Sequence, residues 1–404
     1  MTSVTDPPQG SFKLSMLLND TRYRSYTFQF IALLLLIGAF AYLGSNLAQN
    51  LADAGLNISY AFLGEPAGYD INQRLIEYDS QSTHWRATIV GVLNTLLVAV
   101  LACVSATILG VIAGVLRLSN NWLISKLMSV YVEAFRNVPV LIWIIIIFTI
   151  MTAVLPSPRE FRGDDATASM VLDAFAFTNR GVYTPGPVFG PGSLVVILTF
   201  LASIVGVIWY RRYTTKLLYD TGKLLPRGWP SLVILFVPSI VVFFIMGRPI
   251  TLDYPSLQGF NFQGGITIRG SLIALWFALA IYTGAFIAEN VRAGIQAISK
   301  GQTEAAASLG LRPNRVMNLV ILPQALRVII PPLISQYLNI TKNSSLAIAV
   351  GYMDITGTLG GITLNQTGRA IESVLLLMLF YLVISLSISA VMNVYNQAVS
   401  LKER

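Results

Sequence analysis

Residues 299–323 read SKGQTEAAASLGLRPNRVMNLVILP and interrupt an otherwise apolar C-terminal half with a short polar, alanine-rich stretch. Ser299 and Gln302 are spaced as a helix N-cap pair, and Glu304 is expected in the first turn, where a carboxylate suits the helix dipole. Gly310 is expected to end this helix and Pro313 to open the next. Ala305, Ala306 and Ala307 carry little side-chain bulk, so another protein surface can approach closely. The stretch therefore reads as a compact helical knob between two membrane spans, a shape for transmitting force rather than for catalysis.

The rest of the chain supplies the membrane. Its 404 residues are 54% hydrophobic and 11% charged, with a mean hydropathy of +0.66, which is wrong for a soluble globular domain. A span needs about twenty mostly apolar residues. Eight stretches qualify, near 28–47, 87–116, 122–154, 192–209, 230–247, 270–291, 325–349 and 372–397. The fold class is therefore all-α and polytopic, and the longer stretches predict tilt or kinks. With both termini placed in the cytoplasm, 17 of the 27 Lys and Arg fall on that side, including Arg211, Arg212, Lys216, Lys223 and Arg227. This is the positive-inside pattern, and it puts the Glu304 loop in the cytoplasm. The net charge of +8 thus reads as topology, with membrane lipid and not nucleic acid as the expected partner.

A single cysteine, Cys103, excludes a disulfide framework and a Cys-rich metal site. The single histidine, His84, stands next to Trp85 and reads as an interfacial residue rather than a proton relay or ligand. No Ser/His/Asp or Cys/His nucleophile set is legible. No G-x-x-x-x-G-K-(S/T) phosphate loop occurs either, so the chain is expected to bind no cofactor and to be no enzyme, its energy coming from elsewhere.

In chain order, 1–27 is a polar cytoplasmic tail and 28–47 a retained first span rather than a signal peptide. Residues 48–86 form a periplasmic segment whose Asp53, Glu65, Asp70, Glu77 and Asp79 read as a solvated acidic face, with an amphipathic tail over 68–86 lying against the membrane. Residues 87–154 hold a helix with Asn94, Thr95 and the small residues Gly91, Ala106, Gly110 and Gly114, which let neighbours approach. The next span carries Glu133 and Arg136, three apart and able to neutralise each other, then a break or kink at Asn137 and Pro139. Residues 155–250 form a separate block of a Pro/Gly-rich outer segment, two spans and a basic inner segment. Residues 251–404 contain Glu289, able to face a substrate ammonium group or to pair with Arg292, the loop 295–323, and a polar patch of Lys342, Asn343, Ser344 and Ser345 inside an apolar surround.

The spacing E-A-A, three residues, G, nine residues, V-I-L-P from Glu304 to Pro323 resembles the coupling loop of permease subunits in bacterial ABC importers, with Val320 where the family has Ile. The Tyr131-x-Glu133-x-x-Arg136-x-x-Pro139 run, the Ala288-Glu289-x-x-Arg292-x-Gly294-Ile-Gln296 run and Lys342-Asn-Ser-Ser-Leu346 are similar to elements of polar-amino-acid permeases, and the block 155–250 looks like the insertion of the longer, general L-amino-acid permeases. The resemblance implies a type I importer permease core in the bacterial inner membrane. It assigns Glu304, Ala305, Ala306, Ser308, Leu309 and Gly310 to contact with the ATPase. It places Asn94, Thr95, Arg136, Asn137, Glu289, Lys342, Asn343, Ser344 and Ser345 along the substrate path. The implied partners are a second permease, two ATPase subunits holding ATP and Mg, and a periplasmic amino-acid-binding protein. An ion-coupled secondary transporter is the alternative: it accounts for the spans and buried charges but leaves the loop unexplained.

Overall fold

A computed structural model describes residues 18, 21–55, 57–163 and 166–399; most of the expected polar tail 1–27 lies outside them, and its last seven residues belong to the first helix rather than to a tail. The chain divides into two compact units, 1–61 and 62–404. The first contributes helix α1 (Thr21–Asp53), apolar throughout its span and with no part of that span buried. The second contains α2 (His84–Leu116), α3 (Trp122–Arg136), α4 (Val140–Val154), α5 (Ser193–Thr221), α6 (Gly228–Ile245), α7 (Gly270–Gln296), α8 (Lys300–Ser308), α9 (Leu322–Asn343) and α10 (Ala370–Val399). Among the described residues, eight helical segments are long and apolar enough to cross a membrane, the number expected.

One expected span is two helices. The stretch 122–154 stops at Arg136 and restarts at Val140, and only Val140–Phe161 has the length and apolarity of a span. The physical reason is local. Pro139 has no amide hydrogen and pushes Val138 out of the helical region, while the Asn137 side chain donates back to the Glu133 carbonyl at 2.8 Å. Glu133 also accepts from Asn137 at 3.3 Å, whereas Arg136 turns to Glu289, so the expected Glu133–Arg136 pair is replaced by contacts to other partners.

Helix α7 is the pillar of the second unit. It packs against α2, α3, α4 and α9, and 61% of its most apolar window is buried, against 33% at most for any other span. Its small residues meet those of α2. A Cβ on Gly110 would fall 2.5 Å from Ile287 Cβ and 2.9 Å from the Gly284 carbonyl oxygen, and one on Gly114 would fall 2.7 Å from the Ala288 carbonyl oxygen. Lipid tails are as apolar as leucine, so this association rests on van der Waals closeness and buried hydrogen bonds rather than on expulsion of water. Trp276 Nε1 donates to Ser105 Oγ of α2 at 3.0 Å, and Tyr131 Oη of α3 donates to the Ile281 carbonyl at 2.7 Å. Helices α5 and α6 pack mainly on each other, with most large side chains of the pair exposed.

Two segments differ from expectation. The 68–86 stretch carries no helix before His84; instead Ala67, Ile71 and Tyr78 fold back onto Ala87 and Val90. His84 is therefore buried at 3% exposure, its Nδ1 3.0 Å from Thr363 Oγ1, and is not a surface interfacial residue. The five acids of 48–86 are all exposed. The outer segment of the inserted block, in turn, contains strands: β1 (Ala176–Thr178), β2 (Gly181–Thr184) and β3 (Gly186–Phe189) before α5, and β4 (Ile250–Asp253), β5 (Ser256–Gln258), β6 (Asn261–Gln263) and β7 (Ile266–Arg269) after α6. All pair antiparallel, as β1-β2-β7, β3-β4 and β5-β6. Gly181, at φ +141°, brings the turn so near β7 that a Cβ would lie 2.3 Å from the Ile268 carbonyl oxygen. Tyr183 closes the layer, its ring tilted at 36° to Phe262 with centroids 5.1 Å apart, and donates to Asn261 Oδ1 at 2.6 Å. The block is thus completed by 250–269 rather than ending at 250.

Substituting Gly110→Ala is expected to overpack the α2–α7 contact, costing about 1–3 kcal/mol. The check is the thermal unfolding midpoint of the detergent-solubilised protein, which should fall for Gly110→Ala and hold for Gly64→Ala, where a Cβ meets nothing within 4 Å.

Candidate functional site

The knob forms as a helix, a left-handed glycine and a second helical turn. Helix α8 runs Lys300–Ser308, Gly310 follows at φ +76°, and Pro313 opens the turn Pro313–Val316. A five-residue π-helical stretch, Met317–Ile321, then leads into α9. Ser299 holds the N-cap position without a side-chain capping bond, and Glu304 lies one residue beyond the first turn, so the expected dipole contact is not made. Ala306 is buried, whereas Glu304, Ala305, Ser308, Leu309 and Gly310 are exposed, Leu309 at 81%. Leu309 is thus a bare leucine beside Gly310 at the C-terminal end of α8.

At the knob end of the bundle, Glu289 gathers three arginines from three helices or their ends. Its Oε2 accepts from Arg117 at 2.5 Å, its Oε1 from Arg292 at 2.5 Å, and Arg136 approaches Oε2 at 3.8 Å. Arg136 also lies over the Phe286 ring at 5.3 Å, and its buried Nε has no partner. Arg292 donates onward to Gln296 Oε1 at 2.6 Å, one turn before α8 begins. Of the two partners weighed for Glu289, the structure supplies Arg292 and adds Arg117 and Arg136. Three guanidinium groups against one carboxylate leave a surplus of two positive charges.

At the opposite end, Asn94 and Thr95 are fully buried and hold the connection between α9 and α10. The Asn94 amide donates to the carbonyls of Gln73 at 2.7 Å and Met353 at 2.8 Å. Thr95 Oγ1 accepts from the Ile355 amide at 3.1 Å, and Tyr352 Oη donates to the Asn94 carbonyl at 3.0 Å. Within this connection, Asp354 is fully buried, accepting from the Gly357 amide at 2.9 Å and from Tyr381 Oη at 3.3 Å. Burial pushes its carboxyl up to about 6, although these same hydrogen bonds favour the charged form.

The polar patch ending α9 satisfies much of itself. Ser344 Oγ donates to the Thr341 carbonyl and Ser345 Oγ to the Lys342 carbonyl, both at 2.8 Å. Lys342 is exposed, and Asn343 is half-buried. The expected path residues therefore fall in separate places: Arg136 and Glu289 at the knob end with Asn137 at the α3 break, Asn94 and Thr95 at the other end, and 342–345 at the close of α9. Sequence reasoning missed Arg117 as a partner of Glu289, and it missed Asp354. A lone acid in a Gly/Thr-rich connection between apolar spans was the available signal for the latter.

Comparison with known proteins gives a consistent answer. The family described as "Binding-protein-dependent transport system inner membrane component" matches residues 199–401. The "Glutamate/glutamine/aspartate/asparagine transport system permease protein BztB" of Rhodobacter capsulatus is 52% identical, covering 100% of both chains. The "Putative amino-acid ABC transporter permease protein YhdX" of Escherichia coli is 44% identical over 98% of this chain and 99% of its own. The "General L-amino acid transport system permease protein AapQ" of Rhizobium johnstonii is 43% identical over 99% and 98%. These relatives give the ion-coupled alternative no support.

Two outcomes are expected. Glu289→Gln and Arg117→Gln should be strongly non-additive in unfolding experiments, with a coupling of about 1–3 kcal/mol; independent effects would mean the pair does not bind α2 to α7. For Asp354, a carboxyl with a higher pKa folded than unfolded holds its proton more tightly when folded, so its contribution to stability is lost as pH rises from about 4 to about 6. Asp354→Asn should flatten the decline of the unfolding midpoint across that window. By full-length likeness and by the family matched, the chain belongs to the amino-acid ABC transporter permeases, inner membrane components of binding-protein-dependent transport systems.

Proposed function

We propose that this chain is one of two permease halves of an importer that carries L-amino acids inward, the other half being a paralogue. Both termini and the knob 299–323 lie in the cytoplasm, in keeping with the Lys and Arg distribution. Two ATPase subunits bind and hydrolyse ATP with Mg, one of them seated on α8, and a periplasmic amino-acid-binding protein delivers substrate on the opposite side. This chain binds no nucleotide and performs no reaction of its own.

The observation that carries the reading is the exposed knob itself: Ala306 is the buried residue of α8, while Glu304, Leu309 and Gly310 are exposed. Closing of the ATPase dimer displaces α8, and the displacement reaches α7 through the short link at Ala297 and Ile298, and α9 through the π-helical stretch. A π-helical turn is a natural place for a helix to absorb a shift. The Glu289 cluster ties α7 to α2 and α3 beside that link, so a push on α8 moves several helices together. The path runs past the exposed ammonium of Lys342 and the amide of Asn343; a cation exposed within a span requires water or a partner chain beside it.

The test is Gly310→Arg. A Cβ at Gly310 meets nothing within 4 Å, but φ +76° strains any L side chain, and the arginine projects outward from the knob. Membrane levels should match wild type while amino-acid uptake falls at least about tenfold and less ATPase co-purifies. Normal uptake would overturn the assignment of the knob.

A further inference from the structure

The α5–α6 hairpin ends in a basic structure that the transport reading does not use. Helix α5 has 29 residues and α6 has 18. At 1.5 Å per residue, Ser193 to Arg211 spans roughly 27 Å and α6 roughly the same, each close to a hydrocarbon core. Helix α5 therefore overshoots its neighbour by its last ten or so residues. The return is pinned at a definite level. Arg227 donates from Nε to Thr214 Oγ1 at 3.2 Å and from Nη2 to Thr215 Oγ1 at 3.0 Å, and Tyr210 Oη donates to the Pro226 carbonyl at 2.9 Å. Residues 216–225 form the turn beyond those contacts.

The overshoot is cationic and edged with aromatic rings. Arg211, Arg212, Lys216 and Lys223 are exposed, and none of them forms an ion pair among the described residues; Asp220 is the one acid between them. Trp209, Arg212, Tyr213, Lys216 and Tyr219 recur at helical spacing along one face. Trp209 and Tyr213 stack at 5.6 Å with 12° between ring planes, and both are exposed. Stacked aromatic rings at the end of a span, followed by unpaired cations, match the order of acyl chain, interface and headgroup. Because the hairpin packs mainly on itself, these charges are not neutralised by the rest of the chain.

We infer that the α5–α6 turn is a binding site for anionic phospholipid, with Arg211, Arg212, Lys216 and Lys223 holding the headgroup phosphates of the cytoplasmic leaflet and Trp209 and Tyr213 resting on its acyl boundary. The leaflet named here rests on the orientation proposed above. Clusters of four or more Lys and Arg next to a span attract anionic lipid strongly enough to select it from a mixture.

The experiment uses the assembled transporter reconstituted in nanodiscs of phosphatidylethanolamine with phosphatidylglycerol, then extracted mildly, with retained phosphatidylglycerol counted per complex. The quadruple variant Arg211→Gln, Arg212→Gln, Lys216→Gln, Lys223→Gln should retain at least about threefold less. A variant that exchanges Lys and Arg at the same four positions should retain the wild-type amount, as should Arg159→Gln with Arg162→Gln at the far end of the chain's fold. Equal retention by the quadruple variant overturns the inference, as does loss of ATPase with lipid unchanged, which would mark a protein contact instead. If the quadruple variant does not assemble, Arg212→Gln and Lys216→Gln are read singly; a partial loss in each supports the site and no loss overturns it. Orientation is read separately, by labelling Thr221→Cys in a Cys103→Ser background with an impermeant maleimide. Labelling from the periplasmic side would overturn the leaflet and the topology together, while the lipid count still reports on the site.

Discussion

Helices α2 and α7 can lie against each other only because Gly110 and Gly114 present no side chain to Ile287, Ala288 and Val291. In a bilayer there is little to gain from hiding an apolar surface from lipid, so closeness of packing decides which helices associate. That closeness lets Trp276 reach Ser105 and brings Arg117 to Glu289. The polar contacts at both ends of the bundle depend on the same approach, since each needs its two helices in register to within a hydrogen-bond length.

The two ends are built differently. The knob end is ionic, with one carboxylate shared among arginines of α2, α3 and α7. Partly buried charges of this kind specify an arrangement more than they stabilise it, because their desolvation offsets much of the attraction. The other end is neutral for the most part and uses backbone: Asn94, Thr95 and Tyr352 stitch α2 to the α9–α10 connection through carbonyls and amides. The ionic end joins three helices at one carboxylate, and the backbone-stitched end fixes the connection opposite it.

Much of this was legible in the residues themselves. Apolar length gave eight spans, Gly310 and Pro313 bounded the knob, and Asn137 with Pro139 announced a break, because each depends on a few neighbouring residues. Glu289 was legible as a paired charge through Arg292, three residues away, but Arg117 lies 172 residues off and no local rule connects them. The strands around the inserted block were hidden for a similar reason. Each is three or four residues long, too short for alternation to show, and β2–β7 and β3–β4 pair across the whole α5–α6 excursion. His84 looked interfacial beside Trp85, and it is buried by the distant Thr363 together with the rings of Phe62 and Tyr69.

The pairing of β3 with β4 and of β2 with β7 also bears on how such a chain can change over generations. Phe189 faces Ile250 and Thr184 faces Ile266 across the ladders, so the chain departs into the α5–α6 hairpin and returns at adjoining points. An excursion whose ends already touch can lengthen, shorten or be exchanged without moving the helices on either side, because closing the loop adds little entropy and no new contact. The hairpin is in that sense a separable module, free to acquire a membrane-facing role of its own while the α7 pillar stays under the constraints of transport.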